Sequence, residues 1–141
     1  MNKRFILAAL AGMLTIAVVG GLLYGVVFSG FFRANIVDPG VMRSPPGYAW
    51  IALSHVPFGI LLALAVRWRG ELSVRGGAVT GGILGFLMAA GYDLSQFGTL
   101  RHWTLPLTLA EPFIAMIMVS LAGAVVGTIL GKPAADAAGA R

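Results

Sequence analysis

The chain has 141 residues, 58% of them hydrophobic and 11% charged, with a mean hydropathy of +0.89, against about 25% charged residues in an ordinary soluble domain. A soluble core of this size cannot hide so much apolar surface, and four spans of about 20 residues each leave no length for a soluble catalytic domain. The net charge of +5 comes from ten Lys and Arg dispersed between apolar runs, which points to membrane topology and away from nucleic acid. With no cysteine, disulfides, thiolate nucleophiles and cysteine-ligated clusters are excluded.

The first apolar run, Phe5 through Phe32, holds 28 residues without a formal charge. A cleaved signal peptide has a core of only about 7–15 such residues, so this run reads as the first membrane helix, over 5–31. The turn signals Asp38-Pro39-Gly40 and Ser44-Pro45-Pro46-Gly47 make a short connection. The second helix is expected over 47–67, the third over 76–97 and the fourth over 104–131. Residues 132–141, starting Lys132-Pro133 and rich in Ala and Gly, are expected to form a cytoplasmic tail with too little apolar pattern to pack. The fold class is all-α, an integral membrane four-helix bundle.

Lys3, Arg4, Arg67, Arg69, Arg75, Lys132 and Arg141 fall at one end of these helices, and Arg33, Arg43 and Arg101 at the other. Seven against three places both termini in the cytoplasm of a bacterial inner membrane. The connections after the first and third helices then face outward.

Gly20-Gly21-Leu22-Leu23-Tyr24-Gly25 is similar to Gly81-Gly82-Ile83-Leu84-Gly85-Phe86, and His55-Val56-Pro57-Phe58 to Ala110-Glu111-Pro112-Phe113. Two readings stand: a duplication of one hairpin, giving two parallel helical-hairpin repeats, or a chance likeness of segments rich in Gly and Ala.

Helices in lipid approach one another through small residues. Rows at four-residue spacing run along Ala17-Gly21-Gly25-Ser29, Gly77-Gly81-Gly85-Ala89 and Gly123-Gly127-Gly131, with Ala115 on the fourth helix and Gly59 and Ala63 on the second. Followed outward, these rows lead to Arg33, His55, Asp93 and Glu111, which predicts a polar cap near the outer leaflet. His55 and Glu111 lie about seven or eight residues inside their helix ends, roughly 10–12 Å deep, and Asp93 is expected shallower. An ionised carboxylate at such depth costs about 2.5–3.5 kcal/mol unless paired or wet. Glu111 therefore needs a partner, with His55 or an outward Arg as the expected one. Pro57 and Pro112 each remove a backbone donor and free the carbonyls of Leu53 and Thr108, which are expected to add acceptors to the cap.

The candidate ligand-binding residues are Arg33, His55, Tyr92, Asp93, Gln96 and Glu111. Each has a structural reading beside it: a His55–Glu111 pair that only fixes register, or Asp93 capping the third helix among Tyr92, Ser95, Gln96 and Thr99. Trp50, Trp68, Trp103 and Tyr48 read as interfacial anchors. No catalytic spacing, cofactor motif or metal-ligand spacing is present, so no enzyme, cofactor or metal is expected.

Gly91-Tyr92-Asp93-Leu94-Ser95-Gln96-Phe97-Gly98-Thr99-Leu100 resembles the glycine-tyrosine-aspartate-leucine segment of a family of small bacterial membrane proteins with four transmembrane helices, described as having unknown function. Phe31-Phe32-Arg33-Ala34-Asn35 with Gly40-Val41-Met42-Arg43 is similar to that family's first outward loop. The resemblance implies the fold and a shared site at Tyr92 and Asp93, but no activity. Two functions are expected to compete: an accessory or scaffolding subunit that packs against partner membrane subunits or copies of itself among membrane lipids, and a protein that binds or transports a proton, ion or small polar solute through the cap.

Overall fold

The computed structural model describes residues 3–37, 40 and 43–131. The turn at Asp38-Pro39, Val41-Met42 and the tail 132–141 lie outside the described residues. The described residues form five α-helices in chain order: α1 (Lys3–Leu22), α2 (Ser29–Asn35), α3 (Tyr48–Arg69), α4 (Val74–Thr99) and α5 (Leu105–Gly131), with a π-helical turn at Leu23–Val27 between α1 and α2. Four spans are long and apolar enough to cross a membrane: Lys3–Val27, α3, α4 and α5. Between 22% and 33% of the most apolar stretch of each span is buried, so most of that apolar surface faces outward, as lipid contact requires.

Local chemistry sets the helix ends. Pro45-Pro46-Gly47 precedes α3, and the Ser44–Pro45 bond is cis. Gly70 closes α3 in the left-handed conformation at φ 79°, its N–H bonded to the Arg67 carbonyl, a position that favours glycine. Ser73 caps α4, accepting from the Gly76 N–H at 2.9 Å. The first membrane helix departs from the uniform run expected over 5–31: after Leu22 the ladder widens, and the Phe28 N–H bonds to the Leu23 carbonyl at 2.8 Å, five residues back.

The helices that meet do so through backbone contact. A Cβ at Gly77 would lie 2.0 Å from the Gly123 carbonyl oxygen, one at Gly123 would lie 2.1 Å from that of Gly77, and one at Gly81 would lie 2.2 Å from that of Val119. The rows expected on the third and fourth helices are thus packed on each other. The row on the first helix is not: a Cβ at Gly21 or Gly25 meets nothing within 4 Å. The face that α1 buries runs instead through Phe5, Ala8, Ala9, Gly12, Ile16 and Gly20. Gly59 of α3 rests on the Ala9 carbonyl of α1, 2.5 Å from an added Cβ.

A core of Phe5, Ala8, Ile16, Leu62, Ala63, Val66, Ala122 and Val126 joins α1, α3 and α5 toward the end that carries both termini. There Arg67 stacks over Phe5 at 6.0 Å, and Arg69 pairs with Glu71 at 3.2 Å and donates to Thr80. α1 packs on α3 and α5, and α5 packs along α4, whereas α3 and α4 touch sparingly. That weak contact leaves a gap between α3 and α4, floored by α1 and α5, in the half of the bundle that carries residues 43–47 and 100–104.

Candidate functional site

Three helices bring ionisable side chains to one level. Glu111 lies six residues beyond the start of α5 at Leu105, Asp93 six before the end of α4 at Thr99, and His55 seven beyond the start of α3 at Tyr48. At about 1.5 Å per residue each sits roughly 9–10 Å inside its helix end. Asp93 is not shallower than the others, because α4 runs on to Thr99. It is also not a surface cap: it is 1% exposed.

The partner of Glu111 is neither His55 nor an arginine. The Tyr24 hydroxyl donates to Glu111 Oε1 at 2.5 Å. Tyr24 stands in the π turn, its ring 5.1 Å from that of Phe32, so the widened turn and α2 together hold the phenol over α5. Asp93, on α4, lies near enough to Glu111 for the two carboxyls to act on each other, and its Oδ2 has no hydrogen-bond partner. No Lys or Arg among the described residues forms an ion pair with either carboxyl.

His55 adjoins this group without pairing to it. Its Nδ1 lies 2.5 Å from the Ile51 carbonyl oxygen, which can only accept, so Nδ1 carries a proton and Nε2 is the nitrogen left for a further partner. The same carbonyl accepts from Ser54 Oγ at 2.7 Å. The carbonyls that Pro57 and Pro112 deprive of a donor do not contribute as expected: Leu53 is exposed, Thr108 is buried, and neither lines the cavity beside His55.

That cavity, of about 310 Å³, fills the gap between α3 and α4. Ser54, His55, Tyr92 and Glu111 stand among its lining at the level of the carboxyls, and Ile16, Leu62, Leu84 and Met118 line its deeper part. Asp93 stands behind Glu111 and does not line it. Tyr92 is 62% exposed and borders the cavity from α4. Arg33 is exposed in the last turn of α2 and Gln96 is half-buried; neither side chain makes a hydrogen bond among the described residues. The structure therefore brings His55, Tyr92, Asp93 and Glu111 together and leaves Arg33 and Gln96 apart. Among the described residues no three His, Asp or Glu side chains gather as a metal would require.

Tyr24 is the site residue that the sequence reading passed over. The same depth count that singled out His55 and Glu111 applies to it, since it lies seven residues inside a helix expected to end at residue 31. A tyrosine at that depth, below the interfacial belt, needs a partner for its hydroxyl.

Residues 5–129 match the family described as "Predicted membrane protein (DUF2177)". Searches of the curated proteins and of the solved structures each find no match.

Proposed function

The chain belongs to this family of membrane proteins, and on that premise we propose that it is a non-enzymatic binding protein, taking a proton, cation or small polar solute at the Glu111 cluster. The observation that carries this reading is the nearness of two carboxyls beside a cavity, with no Lys or Arg among the described residues paired to them. Inside a bilayer such a pair is costly unless a proton or a cation accompanies it. Tyr24 satisfies one oxygen but brings no charge. The excess of Lys and Arg at the termini end supports a place in the bacterial inner membrane with both termini cytoplasmic, so that the cluster opens toward the outer leaflet. Four helices make a thin conduit, and transport through this site would require self-association.

An accessory role is the second reading, favoured by one observation. Gly21 and Gly25 expose backbone on the outer face of the first span, with open space over both, as a partner helix or a second copy of the chain would use. Native mass spectrometry of the gently extracted particle tests the two. A small molecule retained by the wild type and lost from Glu111→Gln and Asp93→Asn, with folding unchanged, supports binding. Particles that hold no small molecule, together with a fixed stoichiometry of subunits that survives both substitutions, would replace it with the accessory role.

A further inference from the structure

We propose that the cavity between α3 and α4 takes an amphiphilic amine without a phosphate, its ammonium head on Glu111 and His55 and its chain along Ile16, Leu62 and Met118. The inference rests on the binding reading above and adds the chemical class of the occupant.

Three features carry it. First, the walls change character along the bundle axis. Below Glu111 and His55 the lining is apolar for about two turns, as far as Leu62 and Val119, or roughly 10–12 Å at about 1.5 Å per residue. An apolar cavity of about 150 Å³ stays dry and takes benzene; one of about 310 Å³ has room for a chain segment about twice that size. Because α3 and α4 touch sparingly, the chain enters from the lipid.

Second, the polar end presents acceptors. Tyr24 spends its proton on Oε1 of Glu111, and no donor among the described residues bonds Oε2. His55 spends its Nδ1 proton on Ile51, leaving Nε2, and Ser54 spends its own on the same carbonyl. A head group that donates fits these atoms, and a positive one is also attracted by the buried carboxyl of Asp93 behind Glu111. The ring of Tyr92, next to Asp93 in α4, borders the polar end of the cavity, which favours an ammonium.

Third, no Lys or Arg lines the cavity. An aminophospholipid would carry its phosphate to a level roughly 9–10 Å inside the helix ends, where nothing cationic receives it. A simple long-chain amine avoids that cost.

The test uses the full chain in phosphatidylcholine nanodiscs, with empty nanodiscs as the blank. Calorimetry compares dodecylammonium, dodecanol and ethylammonium. The expected result is saturable binding of dodecylammonium, about tenfold tighter than either of the others, because only it has both head and chain. Glu111→Gln should remove the preference over dodecanol. Met88→Trp, on the 40%-exposed rim of the cavity, should weaken the long amine and leave ethylammonium unchanged, and it serves if Glu111→Gln unfolds. Equal binding of dodecanol overturns the proposal, as does displacement of dodecylammonium when phosphatidylethanolamine is included. Ethylammonium binding as tightly as the long amine overturns the amphiphile while the cation-binding reading stands. Retention of no proton, cation or solute by the wild type removes both.

Discussion

A glutamate inside a bilayer must find donors or surrender its charge, and Tyr24 supplies the one donor that the described residues offer Glu111. Hydrogen bonds between membrane helices average about 0.6 kcal/mol and reach about 1.7 kcal/mol. Tyr24→Phe should accordingly lower stability by about 1 kcal/mol, read by thermal unfolding in one detergent; an unchanged midpoint would mean that the phenol contributes no net energy there. Asp93 should behave in the opposite way. It is buried, its Oδ2 has no hydrogen-bond partner, and the carboxyl of Glu111 is close enough to act on it. Asparagine at this position removes a like charge and offers an N–H to Glu111. Without ligand, Asp93→Asn should melt higher than the wild type, and a lower melting point would show that the second carboxyl has a stabilising partner.

Glycines of equal appearance do different things in different elements. Gly123 of α5 holds α4 at backbone distance, since any Cβ there meets the Gly77 carbonyl at 2.1 Å. Gly21, in the last turn of α1, has open space above it. Gly123→Ala should cost at least about 1–3 kcal/mol, the usual penalty for overpacking. Gly21→Ala should be neutral or stabilise by up to about 1 kcal/mol through helix propensity. Paired unfolding measurements check both, and destabilisation by Gly21→Ala would reveal a helix seated on that face. The π turn belongs to this scale as well. It lies next to Gly20 and Gly21 and contains Gly25, where the absence of side chains eases a widened ladder, and it carries Tyr24 to α5.

For the molecule as a whole, orientation is the property that charge decides. With no native cysteine, single cysteines report it directly. Arg43→Cys and Arg101→Cys should react with a membrane-impermeant maleimide in intact cells, whereas Glu71→Cys should react only after permeabilisation. The reverse pattern would turn the cluster toward the cytoplasm and change which compartment supplies its ligand.

The sequence by itself determined the four spans and the level of His55 and Glu111, but not that of Asp93, whose helix runs on to Thr99. Hydrocarbon leaves an uncharged run of about 20 residues no alternative to a helix, and depth follows from counting along it. Which faces meet was settled only by the tertiary structure. In water an inward face is marked by its apolarity; in lipid it is not, and Leu62, fully buried, and Leu87, 62% exposed, are the same residue type in equally apolar runs. Rows of glycine were visible on the first, third and fourth helices, yet only those on α4 and α5 meet each other, because a four-residue row drifts around its helix and several faces are equally able to pack. The pairing of Glu111 with Tyr24 in place of His55 was hidden for a related reason. It depends on a π turn that rotates one side chain into reach, and on the distance between α3 and α4, neither of which is encoded in residue spacing along a single helix.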